Sequence, residues 1–288
     1  MSLTDPKFIN QLDALYLLAR RILGGSLQAD RRTERKGSGI DFADYAEYQQ
    51  GDDYRAIDWR VYGRLEQLLV KLFEVEEDTT VYVILDTSPS MASKLLEAKR
   101  LAAALGYIAL HCLDRLVAYT LSDRLAPLTA QGRGRAMTLP FLRALEEVNC
   151  QGRDTRFKSC CKALQARHRR KGIVIVISDF LYESGYEDGL RLLQSVGHDI
   201  HCIQIHDPAD LDCTWVGDAQ LTCSETGQVK KVTINESQAA AYQQAMADWN
   251  EGLFKHCRRK GIGLTQITTE DHFEVVIQEL LRKGGLTS

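Results

Sequence analysis

The stretch Val81-Tyr82-Val83-Ile84-Leu85-Asp86-Thr87-Ser88-Pro89-Ser90 decides how this chain is read. Five consecutive apolar residues, rich in β-branched types, describe a strand buried on both faces, as in a parallel sheet. The run stops at one carboxylate and two hydroxyls, so these groups lie where the strand leaves the sheet. A second run, Ile173-Val174-Ile175-Val176-Ile177, ends the same way in Ser178-Asp179-Phe180. If the two strands are parallel and close, Asp86, Ser88, Ser90 and Asp179 converge on one crevice at the carboxyl edge of the sheet. Open α/β folds place their ligands there.

Outward from these strands, helical and extended patterns alternate. The spacing of Leu95, Ala98, Ala102, Leu105 and Ala109 predicts a helix over 94–112. A strand over 116–121 follows, with 124–128 pairing back on it across Ser122-Asp123. Helices are expected over 136–148, 158–169, 186–196, 237–257 and 273–282, and strands over 200–205 and 264–267. Strands separated by helices imply right-handed crossovers and a mainly parallel sheet. The fold class is therefore α/β, a doubly wound, mainly parallel sheet flanked by helices, with an N-terminal extension. The segment 207–231 is too long for an ordinary connection and is expected to carry a small hairpin.

The first ~75 residues differ in texture. A helix is expected over 6–23, stopped by Gly24-Gly25, and a strand over 68–75. Between them, 36–64 is dense in charge and glycine and shows neither period. The division read from this is 1–77 for the extension and 78–288 for the main domain. In Asp52-Asp53-Tyr54-Arg55-Ala56-Ile57-Asp58-Trp59-Arg60, mixed charges interleave with aromatics. The favoured reading pairs Arg55 and Arg60 with the aspartates and packs Trp59 and Ile57 against the main domain; a partner-docking surface is the competing one.

Composition narrows the classes. In 288 residues, 44% are hydrophobic and 26% charged, ordinary values for a chain with a real core. A net charge of −3 supplies no whole-molecule attraction to nucleic acid. No stretch approaches the ~18 uninterrupted apolar residues of a membrane span. The eight cysteines include no CxxC pair, which favours reduced thiols over zinc or disulfides and a cytoplasmic setting. The seven histidines show no ligand-pair spacing and are expected mostly at the surface or at helix ends. Gly132-x-Gly134 lacks the strand and lysine of a phosphate loop and reads as a turn.

Hard oxygen donors at two strand ends suit Mg²⁺, which keeps several waters and needs few protein ligands. Ser88 and Ser90, two apart on an extended turn, present hydroxyls to the same side. Asp86 and Asp179 can ligate directly, or hold those hydroxyls through hydrogen bonds. Thr155 is a further hydroxyl in the loop before the helix over 158–169, with Asp154 as a competing candidate. The plain alternative for Ser88, Ser90 and Thr155 is helix capping.

Asp86-x-Ser88-x-Ser90 with Thr155 and Asp179 resembles the metal-ion-dependent adhesion site of von Willebrand factor type A domains. That resemblance implies a binding module without catalysis, holding Mg²⁺ (or Mn²⁺ or Ca²⁺) on Asp86, Ser88, Ser90, Thr155 and Asp179. An acidic residue of a partner would complete the metal shell. Arg156 departs from the pattern, in which an acidic residue commonly follows the threonine. Gly37-x-Gly39, Asp41-Phe42-Ala43-Asp44, Glu47-Tyr48, Gly51-Asp52-Asp53-x-Arg55-x-Ile57-Asp58-Trp59 and Leu69-Val70-Lys71 leading to Glu74-x-Glu76 resemble a bacterial family, domain of unknown function fifty-eight (DUF58). Its members are associated with ring-forming ATPases of the MoxR type, so the implied role is an adaptor or co-chaperone of such an ATPase. The competing function is a Mg²⁺-dependent hydrolase of phosphoesters, for which Asp86 is a candidate nucleophile lacking an evident acid or base partner.

Overall fold

A computed structural model describes residues 2–23, 32–36, 41–76, 79–112, 114–152, 155–211, 217–225 and 227–282. Gly24, Gly25, Gly37, Gly39 and Asp154 lie outside them. The chain divides into two compact units, Met1–Ala19 with Thr79–Ser288, and Arg20–Asp78.

Helix α1 (Pro6–Leu23) opens the chain. Its first residues belong with the larger unit, not with the extension to which the sequence reading assigned them. The reason is burial: Phe8, Leu12, Leu15 and Ala19 lie on one stripe with at most 3% exposure. The Phe8 ring packs 5.4 Å from that of Phe273, and Asp13 Oδ1 accepts a 2.5 Å hydrogen bond from Tyr107 Oη.

The smaller unit contains β1 (Arg32–Lys36), β2 (Asp41–Glu47), α2 (Trp59–Leu65) and β3 (Leu69–Glu76). Its strands are antiparallel in the order β1-β3-β2, with a register shift between Phe42 and Asp44. Asp58 organises the segment before β3. Its Oδ1 caps α2 by accepting from the backbone N–H of Arg60 and Val61, while Oδ2 accepts from Tyr45 Oη and pairs with Lys71 Nζ at 2.9 Å. The Lys71 ammonium leads in pulling the Asp58 pKa down to about 2. Ile57 is buried and bridges Val70. Trp59, in contrast, is 59% exposed and makes a T-shaped contact with Tyr62, so it is not packed away from solvent as expected. The capping turn at Asp58 turns its ring outward.

The larger unit carries β4 (Thr80–Asp86), α3 (Leu95–His111), β5 (Arg115–Leu121), β6 (Leu125–Pro127), β7 (Gly132–Arg133), α4 (Thr138–Glu147), α5 (Phe157–Arg167), β8 (Ile173–Ser178), α6 (Glu187–Ser195), β9 (Asp199–His206), α7 (Pro208–Leu211), β10 (Gly217–Thr222), β11 (Val229–Ile234), α8 (Glu236–Lys260), β12 (Gly263–Thr268) and α9 (Phe273–Arg282). The main sheet runs β12-β9-β8-β4-β5-β6, with β7 also on β5. Every pair from β12 to β5 is parallel; only β6 and β7 are antiparallel. This is the expected doubly wound α/β architecture. All seven residues of β4 are buried, as its unbroken apolar run requires of a central parallel strand.

Successive side chains of these strands point to opposite faces. Tyr82, Ile84, Val174, Val176 and Cys202 share one cluster with residues of α5, α6 and α8. On the other face α3 packs on β4 and β5, with α4 and α9 packed on α3. Gly106 lies in α3 where the Phe141 ring of α4 fills the space a Cβ would need. His198, His201 and His206, beside or within the interior strand β9, and His256 of α8 are buried rather than superficial. Cys150, Cys160, Cys161, Cys202 and Cys257 are free thiols. No described helix is long and apolar enough to cross a membrane.

Topology locates the site. From β4 the chain crosses to β5 on one side, and from β8 to β9 on the other. The ends of β4 and β8 therefore flank the switch point of the sheet, where connections diverge and leave a crevice.

Candidate functional site

Leu85 and Ile177 are register partners, which places Asp86 at the end of β4 beside Ser178 at the end of β8. Asp86 is 1% exposed, and its hydrogen bonds are fully specified. Oδ2 accepts from Ser178 Oγ at 2.7 Å and Tyr182 Oη at 2.9 Å, and Oδ1 accepts from the Ser88 backbone N–H at 2.9 Å. Burial, with the nearby Asp179 carboxylate second, pushes the Asp86 pKa up to about 6. The carboxylate is thus held rigidly and lacks a cationic partner of its own among these contacts.

Ser88 precedes a short turn, Pro89–Met91, yet its side chain makes no capping bond. Its Oγ lies 3.0 Å from Ser90 Oγ instead. The capping explanation fails for Thr155 as well. Helix α5 has Arg156 at its cap position with no side-chain bond, and Thr155 Oγ1 donates to Glu225 Oε2 at 3.3 Å. The other oxygen of Glu225 accepts from the Ser90 backbone N–H, also at 3.3 Å. Asp86, Ser88 and Ser90 are therefore linked directly, and Thr155 joins them through Glu225.

Asp179 is arranged differently. Its Oδ2 accepts from Lys94 Nζ at 2.9 Å and its Oδ1 from the Leu181 backbone N–H. Lys94 also donates to Asp210 Oδ2 at 2.8 Å. Burial opposes charge on Lys94, but the Asp179 and Asp210 carboxylates outweigh it and hold its pKa above the usual lysine value. Phe180, directly after Asp179, has φ of 57°, a left-handed conformation unfavourable for a bulky residue. Such strain costs on the order of 1–3 kcal/mol and persists where surrounding contacts enforce it. Here the Phe180 N–H bonds Ser178 Oγ, the Asp179 carbonyl accepts from Gln204, and the Phe180 ring is fully buried.

Five participants escaped the sequence reading: Lys94, Ser178, Tyr182, Asp210 and Glu225. Lys94 carried a signal, since it occupies the cap position of α3, where a cation opposes the helix dipole. A buried ammonium there needs carboxylates to hold it. Ser178 stood beside Asp179 in the quoted strand end. Of the remaining three, Tyr182 and Glu225 come from loops and Asp210 from the four-residue helix α7, with no pattern to mark them.

Residues 44–252 match the family described as "Protein of unknown function DUF58". The chain belongs to the DUF58 family. The match spans both units, from β2 into α8. An uncharacterized protein of Mycobacterium bovis is 26% identical over 274 residues, covering 92% of this chain and 86% of that one. Among solved structures, the conserved hypothetical protein BatB of Bacteroides thetaiotaomicron is similar with a TM-score of 0.44 and 15% identity, over 71% of this DUF58 chain and 98% of that chain. A von Willebrand factor type A structure from Catenulispora acidiphila gives a TM-score of 0.42 and 13% identity, over 75% and 43% of the respective chains.

The donors gathered at this DUF58 crevice are hydroxyl and carboxylate oxygens, the set that hard cations prefer. Among the described residues, no group of three or more His, Cys, Asp and Glu side chains is arranged to hold a metal. A cation here would rest substantially on serine and threonine oxygens.

Proposed function

We propose that the crevice between β4 and β8 is a Mg²⁺ site through which the protein binds an acidic residue of a partner protein. The observation that carries this reading is the Ser88–Ser90 pair, two hydroxyl oxygens 3.0 Å apart with no capping role. Octahedral Mg²⁺ with bonds near 2.1 Å places adjacent ligand oxygens about 3.0 Å apart, so the pair already has the spacing of one octahedral edge. Charge supports the same reading. Asp86, Asp179, Asp210 and Glu225 bring carboxylates to this region, and the Lys94 ammonium is committed to two of them.

Ser88 and Ser90 would ligate the ion directly, with Thr155 as a further hydroxyl. Asp86 would stand behind them, since its oxygens are already engaged by Ser178, Tyr182 and the Ser88 N–H. Asp179 would act at longer range, its Oδ2 being held by Lys94. A cation bound largely by neutral hydroxyls keeps much of its charge and attracts an incoming carboxylate strongly. The resemblance to the MoxR-associated family makes a MoxR-type ring ATPase the partner we propose, with this chain as its adaptor. The same hydrogen bonds on Asp86 weigh against a phosphoester hydrolase, because an engaged, buried carboxylate is poorly placed to attack.

Titration with Mn²⁺, followed by electron paramagnetic resonance, tests the centre. Ser90→Ala is expected to weaken binding roughly tenfold or more. Mn²⁺ affinity equal to wild type in that variant, with the fold intact by circular dichroism, would refute the assignment. Binding of a purified MoxR-type ATPase in Mg²⁺, abolished by EDTA, tests the partner.

A further inference from the structure

Resting on that metal reading, we propose that Glu225 is a carboxylate ligand the chain supplies to its own site, in the place a partner's acidic residue would take. Glu225 is 135 residues from Ser90 and 70 from Thr155 in the chain, yet one oxygen meets each of them. A single carboxylate therefore spans the two loops that carry the site's hydroxyls. Both contacts are 3.3 Å, at the long end of the hydrogen-bond range, so they hold the group weakly.

The element that delivers it is a small, largely exposed ribbon. Glu225 sits at the tip of the antiparallel β10–β11 hairpin, in a turn closed by Cys223 and Gln228 with Gly227 in the left-handed conformation. Among the described residues the hairpin pairs with no other strand, and most of its residues are exposed. A two-stranded ribbon of this kind has little stability of its own. Its tip nonetheless brings a negative group towards a crevice that already holds Asp86 and Asp179. Like charges brought together cost free energy unless a cation lies between them. Mg²⁺ in the crevice reverses the sign of that interaction and makes Glu225 a natural further ligand.

The consequence is competition. A tethered carboxylate acts at an effective concentration on the order of mM, so a partner's acidic side chain must displace it to reach the ion. The hairpin then swings clear, and the site is open only while a partner holds it.

Hydrogen exchange of the full chain, with and without Mn²⁺, tests this alongside Mn²⁺ affinity in wild type, Glu225→Gln and Ser90→Ala. Gln keeps the shape and the hydrogen-bonding oxygen but loses the charge. We expect Mn²⁺ to slow exchange across 217–225 and 227–234 in wild type and not in Glu225→Gln. We also expect Glu225→Gln to bind Mn²⁺ roughly tenfold more weakly, with unchanged melting in EDTA. Equal affinity in wild type and Glu225→Gln, or a hairpin whose exchange ignores the ion, overturns the role of Glu225. In either case the loss of binding in Ser90→Ala leaves the metal site standing. A wild-type protein that binds no Mn²⁺ overturns both.

Discussion

Replacing Lys94 by methionine keeps the aliphatic stem and removes the ammonium that ties Asp179 to Asp210. The side chains of Lys94 and Asp179 are 2% and 1% exposed, so the bond between them is made away from water. That of Asp210 is 34% exposed and recovers hydration when its partner is lost. The cost therefore falls on Asp179, left as an uncompensated charge beside Asp86. Breaking a buried pair from one side costs about 3–5 kcal/mol. In a domain of this size each kcal/mol lowers the melting temperature by about 2–4 °C, which gives a fall of roughly 6–20 °C. The assay is thermal unfolding by circular dichroism in EDTA at pH 8. Lys94→Met/Asp179→Asn should recover most of the loss, and the cycle isolates the coupling. Mg²⁺ should also rescue Lys94→Met more than wild type, because the ion replaces missing positive charge. A Lys94→Met protein melting within about 2 °C of wild type would refute the reasoning, since by the same scale under ~1 kcal/mol would then rest on the ammonium.

Asp58 titrates low in the folded chain, so its stabilisation is present above its unfolded pKa near 3.8 and is lost as pH falls through about 2. Asp58→Ala should therefore speed exchange of the Arg60 and Val61 N–H groups at pH 7, and the difference from wild type should shrink below about pH 4 and be lost as the pH falls through about 2. Gly106→Ala would ordinarily strengthen a helix, but here the new Cβ meets the Phe141 ring. We expect a loss of about 1–3 kcal/mol in urea unfolding, relieved in Gly106→Ala/Phe141→Leu. A stabilised Gly106→Ala would contradict the packing.

Much of the architecture was legible because its signals are local. The runs at 81–85 and 173–177 are apolar without alternation, and a strand of that kind has to be covered on both faces. The amphipathic stripe from Leu95 to Ala109 needed only a sheet to lie on. The strands β1 and β2 escaped because Arg32–Lys36 is wholly polar, while in Asp41–Glu47 the apolar residues do not alternate, the register shifting between Phe42 and Asp44. Trp59 was misplaced for a related reason: an aromatic beside charges does not say which way a capping turn will point it. The N-terminal boundary shifted because the stripe of α1 is equally apolar whichever unit receives it.

At the crevice, sequence alone determined which chemical groups end β4 and β8, because strand length and the polar residue that stops it are properties of contiguous chain. Only the tertiary structure decided what those groups do to one another. It set β8 against β4 so that Ser178 and Tyr182 hold Asp86, gave Lys94 to Asp179 and Asp210, and carried Glu225 across 135 residues to Ser90. Charge compensation among buried carboxylates is a balance of side chains from many segments, and no stretch of the chain contains the whole of it.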